Sequence, residues 1–438
     1  MEQIKYTDLK ETLYHEKLEN GLEVYLLPKH NFFKTYAVFA TRYGSVDHMF
    51  RPLGSNKLIS VPAGIAHFLE HKMFEDAAGK NIFNEFAKLG ADANAYTSYN
   101  MTAYLFSTTN EVTKPLHLLL DYVQEPYFTE DNVIKEQGII EQELLMYLDD
   151  PSDRLHLGFM KNIFFKNEIK TDVGGTVRSI KQITSDLLYT CYHTFYHPSN
   201  MVMFVIGNFD VEHILEEIKA NQGKKEFPVA SPIKRKYHTE NEIVKRAYKE
   251  IQMSISSPRV AFGVKFPAFD LSSDEIVKKE LAVSILIDEF FGKGSLNYEE
   301  MLEQKIINSS FKVATVLENN YGYFVAKTET EDVDRFIQYM KSKLLSMKET
   351  HFSQENFLRH KKVVIGDFIR RLNSVEFIAN TYIDYYMRDF DLLKVLSILE
   401  HLTLDDVLDT LTLFKEEAMS AFVIKPKKKV SRKSNSLT

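Results

Sequence analysis

His67, Glu70 and His71 lie in the segment AGIAHFLEHKMFE and form an H-x-x-E-H pattern. On a helix, residues at i, i+3 and i+4 share one face, so both imidazoles and the carboxylate would point at one spot. Two neutral imidazoles at this spacing suit a zinc ion, and a neighbouring carboxylate can act as a general base toward water at that ion. The segment therefore predicts part of a zinc site, with a further ligand still to be found.

A zinc site built on two histidines needs another ligand, preferably a carboxylate, with one position left open for water. The segment EQGIIEQELL places Glu136, Glu141 and Glu143 on a helix predicted over 130–148. Around the helix axis, Glu136 and Glu143 point in directions that differ by only about 20°, so they share one face. Glu141 points about 160° away from Glu143. The spacing selects the pair Glu136 and Glu143 without deciding which one binds the metal, and the second carboxylate would orient an imidazole. The alternative is a solvated acidic helix face.

The composition is that of an ordinary globular protein, with 44% hydrophobic and 26% charged residues. The net charge of −7, with acidic and basic residues interleaved, argues against nucleic acid as a partner. No apolar run reaches about 18 residues, so no membrane-spanning helix is expected. The N-terminus lacks the apolar segment of a secretory signal, and the single cysteine, Cys191, fits a reducing compartment. These features predict a cytoplasmic, soluble protein.

The 438 residues exceed the size of most single cores, so two or more domains are expected. A helix from about Gly64 into Phe74 should carry the histidines, and the two halves repeat an order of opening strand, helix, central strands, helices and closing strand. We predict a zinc-binding N-terminal domain over 1–225, a linker over 226–245, a homologous C-terminal domain over 246–426 and a basic disordered tail over 427–438.

Several segments resemble the pitrilysin/insulinase family of zinc metallopeptidases, the inverzincins. They are AGIAHFLEHKMFE, GADANAYTSYNMTAYLFST, KEQGIIEQELLMYLDDP, and GTVRSIKQIT with YHPSNMVMFVIGNFD. The resemblance covers the first half of the chain in order and the second half more weakly. It is closest to the short, paired form of the family found in Gram-positive bacteria. It implies an α+β fold of two tandem homologous domains, each an antiparallel sheet of about six strands packed with helices.

The resemblance also implies the roles of the candidate site residues. Members of the family hold zinc with the two histidines and the second glutamate of an E-x6-E pair. On this chain the implied ligands of one Zn²⁺ are His67, His71 and Glu143. Glu70 is the implied general base, and Glu136 is the implied carboxylate that supports an imidazole. The implied activity is hydrolysis of peptide bonds.

In this family the substrate resembles an added strand at the edge of the first-domain sheet. The segment GADANAYTS matches the family's edge strand, so Asn94, Ala95 and Tyr96 are candidates for contacting the substrate backbone. Asn94 has a polar side chain that can bind a peptide amide. For Ala95 and Tyr96, packing within the strand is the alternative interpretation.

Self-sufficient relatives carry an Arg and a Tyr seven residues apart, after an F-G-x-G turn in the second domain. Alignment on FFGKGSLNYEEMLEQKIINSS places Leu302 and Ser309 at these positions. Leucine has no donor, and serine is too short for this role. We therefore expect the catalytic subunit of a heterodimer, whose homologous partner without zinc supplies the Arg and the Tyr. The alternative is a non-catalytic assembly or scaffolding subunit of the same fold.

Overall fold

A computed structural model describes residues 1–75 and 79–427 of the chain. The chain forms two compact units, each assembled from separate stretches of sequence. Unit 1 comprises Met1–Met146, Thr171–His238 and Val364–Glu400, and unit 2 comprises Tyr147–Lys170, Thr239–Val363 and residues 401–427, with both units taken over the described residues. None of the helices in the described ranges combines the length and apolar character needed to span a bilayer. The basic tail predicted over 427–438 lies outside the described residues, apart from Lys427.

The strands of unit 1 are β1 (Glu2–Tyr6), β2 (Glu11–Lys17), β3 (Glu23–Pro28), β4 (Thr35–Thr41), β5 (Met49–Phe50), β6 (Ile59–Ser60), β7 (Ala91–Thr97), β8 (Thr102–Thr108) and β9 (Met201–Gly207). The strands of unit 2 are β10 (Tyr248–Met253), β11 (Arg259–Phe266), β12 (Lys312–Leu317), β13 (Gly322–Glu329) and β14 (Met419–Pro426). The α-helices, in chain order, are α1 (Ile65–Lys72), α2 (Ile82–Lys88), α3 (Thr113–Gln124), α4 (Glu130–Asp149), α5 (Pro151–Ile163), α6 (Val177–Ile180), α7 (Ser185–Phe195), α8 (Val211–Gln222), α9 (Ser273–Phe291), α10 (Leu296–Glu303), α11 (Val333–Ser346), α12 (Gln354–Arg371), α13 (Val375–Met387), α14 (Val395–His401) and α15 (Leu404–Asp409).

The sheet of unit 1 has the strand order β1-β2-β3-β9-β4-β8-β7. Strands β3 and β9 pair in parallel, and every other neighbouring pair in this sheet is antiparallel. A parallel pair needs a long crossover connection, and the helices between β8 and β9 supply it. Strand β7, which contains the candidate substrate-binding residues, lies at the edge of the sheet.

The sheet of unit 2 repeats this topology with the strand order β10-β14-β11-β13-β12. It matches β3-β9-β4-β8-β7 strand for strand, and its first pair, β10 with β14, is again parallel. The predicted α+β fold with two related domains is therefore confirmed, together with the repeated order of elements. The sheets are antiparallel, as predicted, except for one pair in each, because each closing strand returns through helices to lie parallel to its opening strand. The sheets contain seven and five strands instead of about six each.

The central strands of unit 1, β4 and β9, are apolar because helices cover both faces of the sheet. All residues of β4 and β9 are buried, as expected for strands covered on both faces. On one face the apolar cluster includes residues of α1, α3, α4, α7 and α8. On the other face α13 contacts β4 and β9, and the Tyr382 ring stacks on Phe204 with 4.5 Å between ring centroids. Helix α1 is therefore held against one face of a rigid sheet.

Residues 225–247, which include the predicted linker, form no helix or strand apart from one isolated bridge. Their first part is tied to unit 1, where Arg235 pairs with Asp47 at 3.0 Å and the Tyr237 hydroxyl donates to the same carboxylate at 2.8 Å. Their later part is tied to unit 2 through Glu240, which accepts hydrogen bonds from the backbone N–H groups of residues 165–167. The domain boundaries predicted from the sequence remain a prediction.

Replacing Glu240 by Gln is expected to destabilise unit 2 at neutral pH and much less in acid. Burial alone would raise the pKa of Glu240, but three backbone N–H donors and Lys265 lower it from 4.5 to about 2. A pKa lower in the folded than in the unfolded state stabilises the fold above pH 4.5, and this stabilisation is lost as the pH falls toward 2. The substitution should cost up to about 3 kcal/mol of unfolding free energy at neutral pH. Urea titrations at about pH 7 and pH 3 measure the difference.

The matched control is Glu242→Gln, since the Glu242 side chain is 73% exposed and lies 3.6 Å from Lys415. It should change the unfolding free energy little at either pH. An equal loss of stability for Glu240→Gln at both pH values would contradict the assigned role of its charge.

Candidate metal centre

Helix α1 starts at a close approach between two loops that only glycine permits. Gly64 has a φ of 92°, and a Cβ there would come within 2.3 Å of the Gly174 carbonyl oxygen. Gly175 has a φ of 82°, and a Cβ there would lie 2.3 Å from the Ala63 carbonyl oxygen. This contact places the 172–175 loop beside the His67 ring and fixes the position from which the helix begins.

The helical periodicity of α1 separates a buried face from a face that carries the three functional groups. Phe68 and Leu69 are fully buried in the apolar core. His67, Glu70 and His71 share the other face, and the two imidazole rings meet edge to face with 4.6 Å between their centroids. The structure thus brings together the three residues of the H-x-x-E-H pattern, as the spacing predicts.

Helix α4 supplies both candidate carboxylates to this face. Ile140 and Leu144 are buried and anchor the helix to the core, which turns Glu136 and Glu143 toward the histidines. The Glu136 carboxylate lies 3.0 Å from Nδ1 of His71. The Glu143 carboxylate oxygens lie 3.8 Å from Nε2 of His67 and 3.5 Å from Nε2 of His71.

These distances give the two glutamates different positions, which the sequence spacing alone left undecided. Glu143 faces the Nε2 atoms of both rings, and one donor atom from each of His67, His71 and Glu143 lies within 4.8 Å of the others. Glu136 reaches only the far side of the His71 ring, where it can accept the Nδ1 proton. A proton held on Nδ1 leaves the Nε2 lone pair directed at the space between the three residues.

The donor set fits a zinc ion, because His67 has unused binding capacity. Its Nε2, the ring nitrogen directed at Glu143, is 3.8 Å from that carboxylate, beyond hydrogen-bond distance. A buried imidazole without a hydrogen bond is costly. Two imidazoles and a carboxylate around one point are the ligands of a catalytic zinc site with an open fourth position.

The surroundings shift the pKa values of the three groups on α1 in different directions. Burial lowers the pKa of His67 to about 4, so this ring is neutral near pH 7 and available as a ligand. Burial alone would lower the pKa of His71, but the hydrogen bond to Glu136 and the charges of Glu70 and Glu143 raise it above its ordinary value. Burial raises the pKa of Glu70, although a hydrogen bond from Thr97 works in the opposite direction.

Thr97 is a residue that the sequence reasoning missed. Thr97 is the last residue of β7, and its hydroxyl donates a hydrogen bond to the Glu70 Oε2 with 2.7 Å between the two oxygens. A threonine at the end of a strand has no pattern of its own that would mark it. The only signal was the strand alternation, which puts residue 97 on the same face as Ala95.

The three substrate-binding candidates point in different directions on β7. Ala95 packs against the core on the face that carries α1. Tyr96 is on the opposite face, where Tyr36 and Asp384 are its charged or ionisable neighbours. Asn94 is exposed, and its side-chain oxygen accepts a hydrogen bond from the Ala95 N–H at 2.9 Å. Tyr96 is therefore placed for packing within its own unit, and the exposed polar contact at this edge comes from Asn94.

Leu302 and Ser309 are both exposed residues of unit 2. They occupy the two positions at which self-sufficient relatives are expected to carry an Arg and a Tyr. Leu302 is on α10, and Ser309 is in the turn that follows it. Among the described residues, the only group of His, Cys, Asp and Glu side chains arranged to hold a metal is His67, His71 and Glu143.

Unit 2 has an ion-pair cluster on the helices that correspond to α1 and α4. By element order these are α9 and α12, which precede β12 and follow β13. His360 on α12 bridges two carboxylates of α9, with 2.7 Å from Nδ1 to Asp288 and 2.6 Å from Nε2 to Glu289. The histidine and the carboxylates have exchanged helices relative to unit 1. Both ring nitrogens of His360 already have carboxylate partners, so neither is left for a metal.

Two family models match consecutive parts of the chain. The model described as Insulinase (Peptidase family M16) matches residues 54–176, which include all the candidate metal ligands. The model described as Peptidase M16 inactive domain matches residues 182–364.

Individual proteins are similar over nearly the whole chain. A protein of Bacillus subtilis (strain 168), described as uncharacterized zinc protease YmfH, is 46% identical over 92% of this chain and 94% of its own length. The crystal structure of an M16-like peptidase from Alicyclobacillus acidocaldarius has a TM-score of 0.91 at 34% identity, covering 95% of this chain and 99% of that one. A chain of Complex III2 from Candida albicans has a TM-score of 0.72 at 14% identity, covering 94% of this chain and 95% of that one, and this likeness shows the fold alone.

Proposed function

Because the chain belongs to the insulinase family of peptidases, peptidase family M16, we propose that it is an endopeptidase with one zinc ion per chain, acting on peptides or short unfolded segments. The observation that carries this proposal is the convergence of donor atoms from His67, His71 and Glu143 within 4.8 Å of one another, next to the carboxylate of Glu70. The relative from Bacillus subtilis is described as a zinc protease, and this description supports zinc as the metal.

Zinc held by His67, His71 and Glu143 would supply Lewis-acid polarisation of the scissile carbonyl and acidify the attacking water. Glu70 shares the helix face of the ligands, so its carboxylate can take a proton from that water and later deliver it to the leaving amine. Burial raises the pKa of Glu70 above its ordinary value, which is the direction that suits a group that must both accept and return a proton. Glu136 holds the His71 ring through Nδ1 and so maintains its orientation.

The free edge of β7 is the surface on which we place the peptide. Within the described residues β7 pairs only with β8, so the backbone groups on its other side are available to an added strand. Asn94 and Ala95 lie on this strand, which also bears the Thr97 contact to Glu70. A peptide paired with β7 would run past the general base.

We propose that the active enzyme is a heterodimer with a homologous subunit that lacks zinc. Leu302 and Ser309 stand at the positions where self-sufficient relatives carry an Arg and a Tyr, and neither side chain can replace those donors. The partner would supply them to the charge that develops on the scissile carbonyl.

The purified, zinc-loaded chain is expected to cleave fluorogenic peptides at least about 100-fold more slowly than the same chain mixed with the homologous product of a neighbouring gene. One missing donor to the developing oxyanion costs about this much. Turnover is measured for the chain, the partner and their mixture, with a chelator-treated mixture as control. An equal rate for the chain alone would contradict the heterodimer.

A non-catalytic assembly or scaffolding subunit of the same fold is the alternative function. This alternative predicts that neither the chain nor the mixture binds zinc or cleaves peptides. We also propose a cytoplasmic location, because a chain whose single cysteine, Cys191, is buried and outside any disulfide fits a reducing compartment.

A further inference from the structure

The carboxylate of Glu70 has one hydrogen bond within the described residues, and Thr97 provides it. The Thr97 hydroxyl donates to Oε2 at 2.7 Å. Glu70 is 8% exposed, so solvent has limited access to hold the side chain in place. A glutamate has three rotatable side-chain bonds, and without a partner its carboxylate would sample several orientations.

Other polar groups near Glu70 do not take over this role. The hydroxyls of the buried Tyr104 and Tyr122 are close enough to feel the charge of Glu70. The Tyr104 hydroxyl is paired with that of Tyr196 at 2.8 Å. The Tyr122 hydroxyl is buried without a hydrogen-bond partner among the described residues. Among the described residues, only Thr97 forms a hydrogen bond with the Glu70 carboxylate.

The Thr97 hydroxyl has two possible acceptors, Glu70 and Thr102 on the next strand. Thr102 lies opposite Thr97 in the β7–β8 register, with 3.4 Å between the two hydroxyl oxygens. Thr102 gives its own proton to the Tyr43 carbonyl at 2.9 Å. Thr102 therefore has no proton left for Thr97 and could only accept one. The single proton of Thr97 goes to the Glu70 carboxylate, which is the closer acceptor at 2.7 Å. The branched Cβ of threonine further restricts its χ1 angle in a strand.

We propose that Thr97 is a positioning residue that aligns the general base Glu70 with a peptide bound along β7. This inference rests on the proposed peptidase function. Thr97 belongs to the same strand that would pair with the peptide, and it lies two residues beyond Ala95 on the same face. One rigid strand thus fixes both the register of the peptide and the orientation of the carboxylate.

The test compares Thr97→Val, which keeps the shape and removes the hydroxyl, with Thr97→Ser, which restores the hydroxyl. The matched control is Thr108→Val, a buried threonine at the opposite end of the same strand pair, where it faces Ala91. kcat and KM for peptide hydrolysis are measured in whichever form of the enzyme is active, together with zinc content. Thr97→Val should lower kcat by about 10- to 100-fold, because a displacement of about 1 Å of a catalytic group costs this order.

KM and zinc content should stay at their wild-type values in Thr97→Val, Thr97→Ser should recover most of kcat, and Thr108→Val should retain it. A wild-type kcat in Thr97→Val would overturn the inference. Equal losses in Thr97→Val and Thr97→Ser would overturn it as well, because packing and not the hydroxyl would then be responsible.

A crystal structure of Thr97→Val tests the inference independently of activity. The Glu70 carboxylate should leave its wild-type orientation while the two histidines and Glu143 keep theirs. An unchanged Glu70 would overturn the inference even if the peptidase function is correct. An inactive, zinc-loaded wild type would instead refute the proposed function, and the two failures are therefore distinguishable.

Discussion

Replacing Glu70 by Gln is expected to reduce peptide hydrolysis by about 10²- to 10⁴-fold while the chain still binds zinc. Glutamine has nearly the same shape and can still accept the hydrogen bond from Thr97, but it cannot take a proton from water. Because Glu70 is assigned no role as a ligand, the metal stoichiometry should not change. Turnover of a fluorogenic peptide measures the loss of hydrolysis. Atomic emission on the same preparation measures the zinc content.

The controls for this variant separate loss of chemistry from loss of structure. The melting temperature of Glu70→Gln should remain near that of the wild type, since the carboxylate is only one of many buried groups around α1. Hydrolysis by Glu70→Gln at the wild-type rate would remove this residue from the role of general base. Loss of zinc together with activity would instead make it part of the metal shell.

Replacing Glu143 by Gln is expected to lower zinc affinity by more than about 100-fold, which exceeds the effect of losing a hydrogen bond that only orients a ligand. The variant removes the negative charge shared by the two oxygen atoms that lie 3.8 Å and 3.5 Å from the Nε2 atoms of His67 and His71, and it replaces one of these oxygens by an amide nitrogen. Competition with a chromogenic chelator measures the affinity, and hydrolysis should fall with metal content.

The matched control is Glu141→Gln, two residues away on the same helix. The Glu141 carboxylate pairs with Lys181 at 3.0 Å and takes no part in the metal group. Zinc affinity should therefore be unchanged in this variant. If Glu136→Gln lost zinc as completely as Glu143→Gln, the assignment of one ligand and one supporting carboxylate would be contradicted.

The local part of the site could be predicted from the sequence, because it depends on the geometry of single helices. The spacing of His67, Glu70 and His71 fixes one shared face on α1, and the spacing of Glu136 and Glu143 does the same on α4. The apolar run MVMFVIG is likewise a local pattern, typical of a buried strand, and it forms the fully buried β9. The resemblance to a known family added the expected roles, and membership of that family is now shown.

Features that depend on two distant segments were not predictable in this way. The sequence spacing left Glu136 and Glu143 equivalent, since both face the same direction on their helix. Their difference arises in the tertiary structure, where the packing of α4 against the core through Ile140 and Leu144 brings Glu143 and Glu136 to different sides of the His71 ring. The parallel pair in each sheet also escaped prediction, because alternation along a strand carries no information about the direction of its neighbour.

By itself, the sequence determined which side chains share a helix face, because helical periodicity is a property of consecutive residues. Only the tertiary structure decided which carboxylate faces both imidazoles, that Tyr96 turns away from α1, and that Thr97 reaches Glu70. Thr97 and Glu70 are 27 positions apart and belong to different elements, and their contact exists only because the core holds α1 against the sheet. Such contacts follow from packing across the fold, which no local pattern encodes.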